Sequence, residues 1–262
     1  MERSIGKIEA ESVLPRSVLV ADDRLYRQIS QNSDSVALLE DLDAMVIPYS
    51  CHAEVNAQQT APIREVLLAA GQLTAGALLI KNPYETSSYE FAEFAIETFA
   101  SAKYHAIANV ARLLGAREIH VVEAKVDHNV ANWGAGVKGK IPVGGGEAEI
   151  SNEVTKKLEE RLEGHLKFPG SDPAPEDALA YLLRRNLSND QQLKDLVEMR
   201  TGTNLISHYK MTLSGTRESA ANLRSALKIA NAGPVKAVEI GASFSRTAES
   251  ISSIEITTEI TF

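Results

Sequence analysis

The sequence predicts an α+β fold: an antiparallel sheet, built from hairpins in the C-terminal half and covered on one face by helices, including one long helix over residues 87–114. Three observations carry this. In "SSYEFAEFAIETFASAKYHAIANVARLLGA" (87–116) apolar residues recur at three- and four-residue spacing. Between 131 and 150 apolar and polar residues alternate at period two, and from 235 to 262 one parity holds to the last residue.

Ahead of the long helix, "SVLVA" (17–21), "AMVIPY" (44–49) and "GALLIKNPY" (76–84) are apolar runs of strand length, while "RLYRQISQ" and "SVALLEDL" between them read as helical. Asp22 and Asp23 suit a helix start, where acids complement the dipole. "APIREVLLAAGQL" (61–73) reads as a helix with Pro62 in its first turn.

The long helix has a buried row of Phe91, Ala95, Phe99, Ala102, Ala106, Val110 and Leu113. A second row, Phe94, Ile96, Ile107 and Leu114, widens that face and leaves Glu97 on the wet side. Ser87 or Ser88 is expected to cap its start, and Gly115 to close it in a left-handed turn.

"REIHVVEAKVDHN" (117–129) reads as a strand whose phase slips near Val121 and Val122, the mark of a bulge. Beyond it Ala131, Trp133, Ala135, Val137, Ile141 and Val143 are odd and apolar, whereas Asn132, Gly134, Gly136, Lys138 and Lys140 are even. A phosphate-binding loop bunches its glycines between a strand and a helix N-terminus. Here they sit inside an alternating pattern, and no Ser or Thr follows Gly-Lys. They read as a thin strand, and Gly144-Gly145-Gly146 as its hairpin turn.

"NEVTKKLEERLEGHLKF" (152–168) has leucines four apart and reads as a helix ending near Gly164. Yet Val154, Leu158, Leu162, Leu166 and Phe168 share the even parity of Ala148 and Ile150, so a long strand stands as the alternative. Helices follow over 175–185 and 188–200, the second with Ser188 as cap and Gln191 three residues on. "LISHYKMTLS" (205–214) alternates as a strand, and "TRESAANLRSALKIANAGP" is a helix closed by Gly233 and Pro234. Two strands turning near 246–251 complete a terminal hairpin over 235–262.

The 262 residues suit a single domain over 1–262, which divides naturally into a helix-rich part, 1–116, and an antiparallel β-hairpin part, 117–262. A net charge of −8 gives no basic field for nucleic acid, so a nucleic-acid partner is not expected. The start lacks the apolar run of a signal peptide, no apolar stretch is long enough for a transmembrane helix, and Cys51 is the one cysteine; a cytoplasmic location is expected. No Walker, Rossmann or nucleophile-elbow pattern appears, so no cofactor is expected. The six histidines form no HxH or HExxH pair, and Cys51 and His52, neighbours on the chain, would diverge in an extended segment.

Two function classes remain. Glu123 and Lys125 form an acid-x-Lys pair at a strand end, the arrangement with which metal-dependent nucleases and phosphodiesterases hold magnesium and polarise water. Such sites also need an acid on a neighbouring strand upstream, where this chain has a helix; charges on a solvent-facing strand are the simpler reading. The favoured class is a non-enzymatic binding or assembly protein with a protein partner or self-association. Its sharper form is membrane-active and pore-forming. Val137, Ile141, Ile240, Ile254 and Ile256 would then face lipid from alternating hairpins, and the small polar residues between them would face water.

Overall fold

A computed structural model describes residues 14–50, 57–85, 87–127, 165–236 and 253–262, together with Lys156, Leu158, Glu160, Leu162 and Phe244. Among these residues the fold is α+β, with seven helices and two four-stranded sheets, the C-terminal one entirely antiparallel.

The N-terminal sheet has the order β2-β1-β3-β4, with β1 (Ser17–Ala21), β2 (Ala44–Pro48), β3 (Leu78–Lys81) and β4 (Tyr89–Phe91). β1 and β2 are parallel; β1–β3 and β3–β4 are antiparallel. Every residue of β1 and β2 is buried, which explains apolar runs rather than alternation in the sequence. On one face Val18, Val20, Met45, Ile47 and Leu79 pack on Ile63 and Leu67 of α2 (Ala57–Ala69). On the other, Leu19, Ala21, Val46, Leu78 and Ile80 enter the main core with α1 (Asp23–Gln31) and the long helix α3 (Ala92–Leu113). Asp22 does cap α1, its carboxylate accepting the Leu25 N–H at 2.7 Å. Pro62 lies inside α2, which starts four residues earlier than its position suggested.

The C-terminal half contributes α4 (Pro175–Arg184), α5 (Gln191–Met199), α6 (Arg217–Ala230) and a short helical turn, α7 (Gly233–Lys236). Helix α6 crosses over to cover the N-terminal sheet, so both parts of the chain share one apolar core. A polar row docks it: Ser17 Oγ meets Ser225 Oγ at 2.7 Å, Asn222 donates to the Lys81 carbonyl at 2.8 Å, and Arg16 donates to Asn222 at 3.1 Å.

The second sheet has the order β6-β5-β8-β7: β5 (Glu118–Asp127), β6 (His165–Lys167), β7 (His208–Leu213) and β8 (Ser253–Thr261). The β5–β8 register shifts between Val121 and Glu123, placing a bulge where the sequence phase slips and leaving Val122 45% exposed. One face meets the helices through Ile119, Ala124, Met211, Leu213, Ile256 and Ile260. The other is wet and carries Glu123, Lys210, Thr212, Glu255 and Thr257.

Several local expectations need correction. Helix α3 starts at Ala92 rather than at the serines, because 89–91 is spent on β4; its N-cap, Phe91, makes no side-chain capping bond. Phe94 is exposed, whereas Glu97 is buried with Oε2 lacking a hydrogen-bond partner. Helix α5 is capped by Asp190, not Ser188. Gly115 holds the left-handed turn, φ +87°, and a Cβ there would lie 2.3 Å from the Ser171 carbonyl oxygen. Lys156, Leu158, Glu160 and Leu162 are helical, with the leucines buried and the charged residues exposed, so helix prevails over strand there. Val235 and Lys236, expected to begin the terminal hairpin, lie in α7, and Phe244 is helical and buried in the main core. The strand and glycine turn expected over 131–150, and Cys51 with His52, lie outside the described residues.

Thr258 sits on the inner face of β8, opposite Val121 and Met211, fully buried with its hydroxyl unpartnered. Valine has nearly the same shape without the hydroxyl. Thr258→Val is therefore expected to stabilise the fold by about 0.5–2 kcal/mol in denaturant titration.

Burial pushes the Tyr84 phenol up to about 12 from its ordinary value near 10, with hydrogen bonds to Thr216 and Ser219 opposing the shift. The folded state thus resists ionisation that the unfolded chain undergoes. This contribution is fully present below pH 10 and lost as pH rises from 10 to 12; two units correspond to roughly 3 kcal/mol. Alkaline unfolding curves of Tyr84→Phe should fall less steeply across that window than those of the wild type. A steeper fall would contradict the assignment.

Candidate functional site

β5 and β8 form the centre of the C-terminal sheet and carry most of the residues singled out in the sequence. In antiparallel strands, positions two apart share a face, and partners across the ladder share it too. The wet face therefore presents rows. Lys210, Glu259, His120 and His165 run across all four strands in register, and Thr212, Thr257 and Glu123 run across β7, β8 and β5. Thr212 and Thr257 join hydroxyls at 3.1 Å.

Glu259 is the hub of the longer row. Lys210 Nζ lies 2.9 Å from one of its oxygens and His120 Nε2 3.6 Å from the other. The ammonium of Lys210 holds the Glu259 carboxyl below the usual carboxylate range, with His120 adding to the effect. Farther along, His165 Nδ1 lies 3.0 Å from Glu118 Oε1, and the His120 and His165 rings stack with centroids 4.8 Å apart.

Glu123 and Lys125 are both on β5, in register with Thr257 and Glu255. Glu123 is exposed and follows the bulge directly. Among the described residues the one group of three potential metal ligands is Glu118, His120 and His165, at the other end of β5; Glu123 belongs to none. Of the residues expected to face lipid, Ile256 is 2% exposed and Ile254 packs against the main core, so in this conformation they face helices. Val137, Ile141 and Ile240 lie outside the described residues.

The ends of the two central strands are placed together. Asp127, where the chain leaves β5, is the register partner of Ser253, where the chain enters β8. The segment after 127 and the segment before 253, both alternating in sequence, therefore attach to adjacent strands at one end of the sheet. Among the described residues, no helix is long and apolar enough to cross a membrane. No known family model, curated protein or solved structure matches the chain.

The Glu118–His120–His165 group went unseen in the sequence reading. Glu118-x-His120 is itself a signal, since positions two apart on a strand share a face. The third member arrives only through the pairing of β6 with β5, which sequence spacing does not encode.

Proposed function

We propose that this chain is an assembly protein that inserts β-hairpins into a membrane by self-association, acting from a reducing compartment such as the cytoplasm. One observation carries the reading: Phe244, inside a stretch of strand period, is held in the core as helix. It shares the even parity of Val238, Ile240 and Ala242 in the sequence, yet it is helical and 3% exposed. The alternating segments that follow Asp127 and precede Ser253 attach to β5 and β8 at positions that are register partners.

The energetics fit such an insertion. Lipid is about as apolar as a leucine-rich core, so moving an apolar side chain such as Phe244 from core to bilayer changes little in hydrophobic terms. Backbone groups decide the outcome. In hydrocarbon every N–H and C=O must be paired, which open hairpins cannot achieve and a closed barrel can. Membrane barrels need at least about eight strands, and two hairpins supply four, so at least two copies must associate. The short β6 and the six-residue β7 are the edge strands at which a neighbouring copy would add. Each membrane-crossing strand needs about 9–11 residues, a length that the alternating stretch 131–143 meets.

The test is dye release from liposomes of bacterial lipid composition, with the protein alone and with any partner encoded beside it. Release is expected from the wild type. Val137→Lys, on the apolar parity, should abolish it, because a lysine at the lipid face costs about 2–4 kcal/mol near the midplane. Lys138→Glu, on the polar parity, should release dye as the wild type does. Absence of release under every condition, from a protein that stays monomeric, would remove the proposal.

A metal-dependent nuclease or phosphodiesterase centred on Glu123 and Lys125 is the alternative. Its one structural support is the presence of Glu255 opposite Lys125 on the adjacent strand. Magnesium-dependent digestion of plasmid or RNA, lost in Lys125→Ala, would establish it instead.

A further inference from the structure

We propose that Glu118, His120 and His165 bind one divalent transition-metal ion of the zinc class, tying the edge strand β6 to β5. One ligand atom from each of the three lies within 4.8 Å of the others. Tetrahedral bonds of ~2.1 Å put neighbouring ligand atoms about 3.4 Å apart, a closure of little over 1 Å that side-chain rotation supplies. The placement is fixed by backbone: Glu118 and His120 share a face of β5, and β6 pairing sets His165 directly across from His120.

Ion pairing alone leaves part of the cluster unexplained. Glu118 and His165 satisfy one another at 3.0 Å, yet His120 Nδ1 is shielded from water and has no hydrogen-bond partner. A buried ring nitrogen without a partner is uncommon, and a metal ion is one of the few groups that can supply one. The opposite nitrogen of the same ring faces Glu259 at 3.6 Å, and Lys210 steadies that carboxylate at 2.9 Å. Metal-bound imidazoles ordinarily donate their second N–H to just such a carboxylate, which fixes the tautomer. The two rings stack with centroids 4.8 Å apart, which holds both imidazoles on the same side of the sheet next to Glu118.

The ligand set selects the ion. Two imidazole nitrogens and one carboxylate oxygen suit zinc and its late first-row neighbours, whereas magnesium and calcium prefer all-oxygen sites. Three protein ligands leave a fourth position for water. His165, Lys167 and Glu118 are no more than half-buried, so the site opens to solvent.

Calorimetric titration of chelator-treated protein with zinc chloride tests this, alongside thermal unfolding with and without zinc. One equivalent should bind and raise the unfolding temperature. Glu118→Gln and His165→Ala should each weaken binding roughly tenfold or more, while His105→Ala, an exposed histidine on α3, should leave it unchanged. Nitrogen NMR signals of His120 and His165 should shift together on zinc addition. Lack of saturable uptake, equal uptake of magnesium, or undiminished zinc binding by Glu118→Gln would each overturn the site. None of these outcomes bears on membrane insertion.

Discussion

Phe99→Ala is expected to lower stability by about 3–5 kcal/mol, through lost transfer energy and the cavity left behind. Phe99 lies in the middle of α3, 4% exposed, in the core shared by both parts of the chain. That core cannot collapse around the gap cheaply, because α3 is held at both ends. Its start is joined to β4, and at its C-terminal end Arg200 donates two hydrogen bonds to the Leu114 carbonyl, at 3.1 and 3.0 Å. The same guanidinium lies 4.1 Å over the ring of Phe262 at the end of the chain. Phe94→Ala, on the same helix but 46% exposed, should stay within about 0.5 kcal/mol. Guanidinium titrations of both variants check the contrast; similar losses would mean that α3 is not the central packing element.

Lys103→Met should cost about as much, roughly 3–5 kcal/mol, for a different reason. The Lys103 ammonium lies 2.9 Å from Asp190 Oδ2 and donates to the Ser214 carbonyl at 2.7 Å, with only 7% and 13% of the paired side chains exposed. Removing the lysine strands a carboxylate in the interior. Asp190 retains its bond to the Leu193 N–H at the start of α5, which softens the loss but does not replace the counter-charge. The double variant Lys103→Met, Asp190→Asn should lose less than Lys103→Met alone. An additive loss would show that the two groups do not interact.

These two residues illustrate what the chain reveals before it is folded. Phe99 follows from the three-and-four spacing alone. Lys103 and Glu97 do not: hydrophobic periodicity assigns charged residues to solvent, and only the arrival of α5 and the loop before α6 makes Lys103 internal. Phe94 shows the converse, an aromatic ring assigned to the core that no element covers. The bulge at Val122 was legible because a phase slip is local. β4 was not, since three residues are too few to show a period beside a helix of twenty-two. The helical Phe244 is a conflict of another kind. There the sequence period and the adopted structure disagree, and such conflicts mark strained or functional segments. The metal-ligand group joins β5 to a strand beyond the alternating region, so its register could not be read in advance.

The insertion of the two alternating segments as membrane strands is the central claim, and the segments carry opposite parities. Cys51, the one cysteine, is first replaced by serine. Single cysteines are then placed across 131–143 and 238–244 and labelled with an environment-sensitive dye, and emission is recorded with and without liposomes. Blue shifts on membrane addition should alternate, at odd positions such as Trp133, Ala135 and Val137 in the first segment and at even positions such as Val238, Ile240 and Ala242 in the second. Unchanged emission throughout, or shifts recurring every three to four residues, would contradict it.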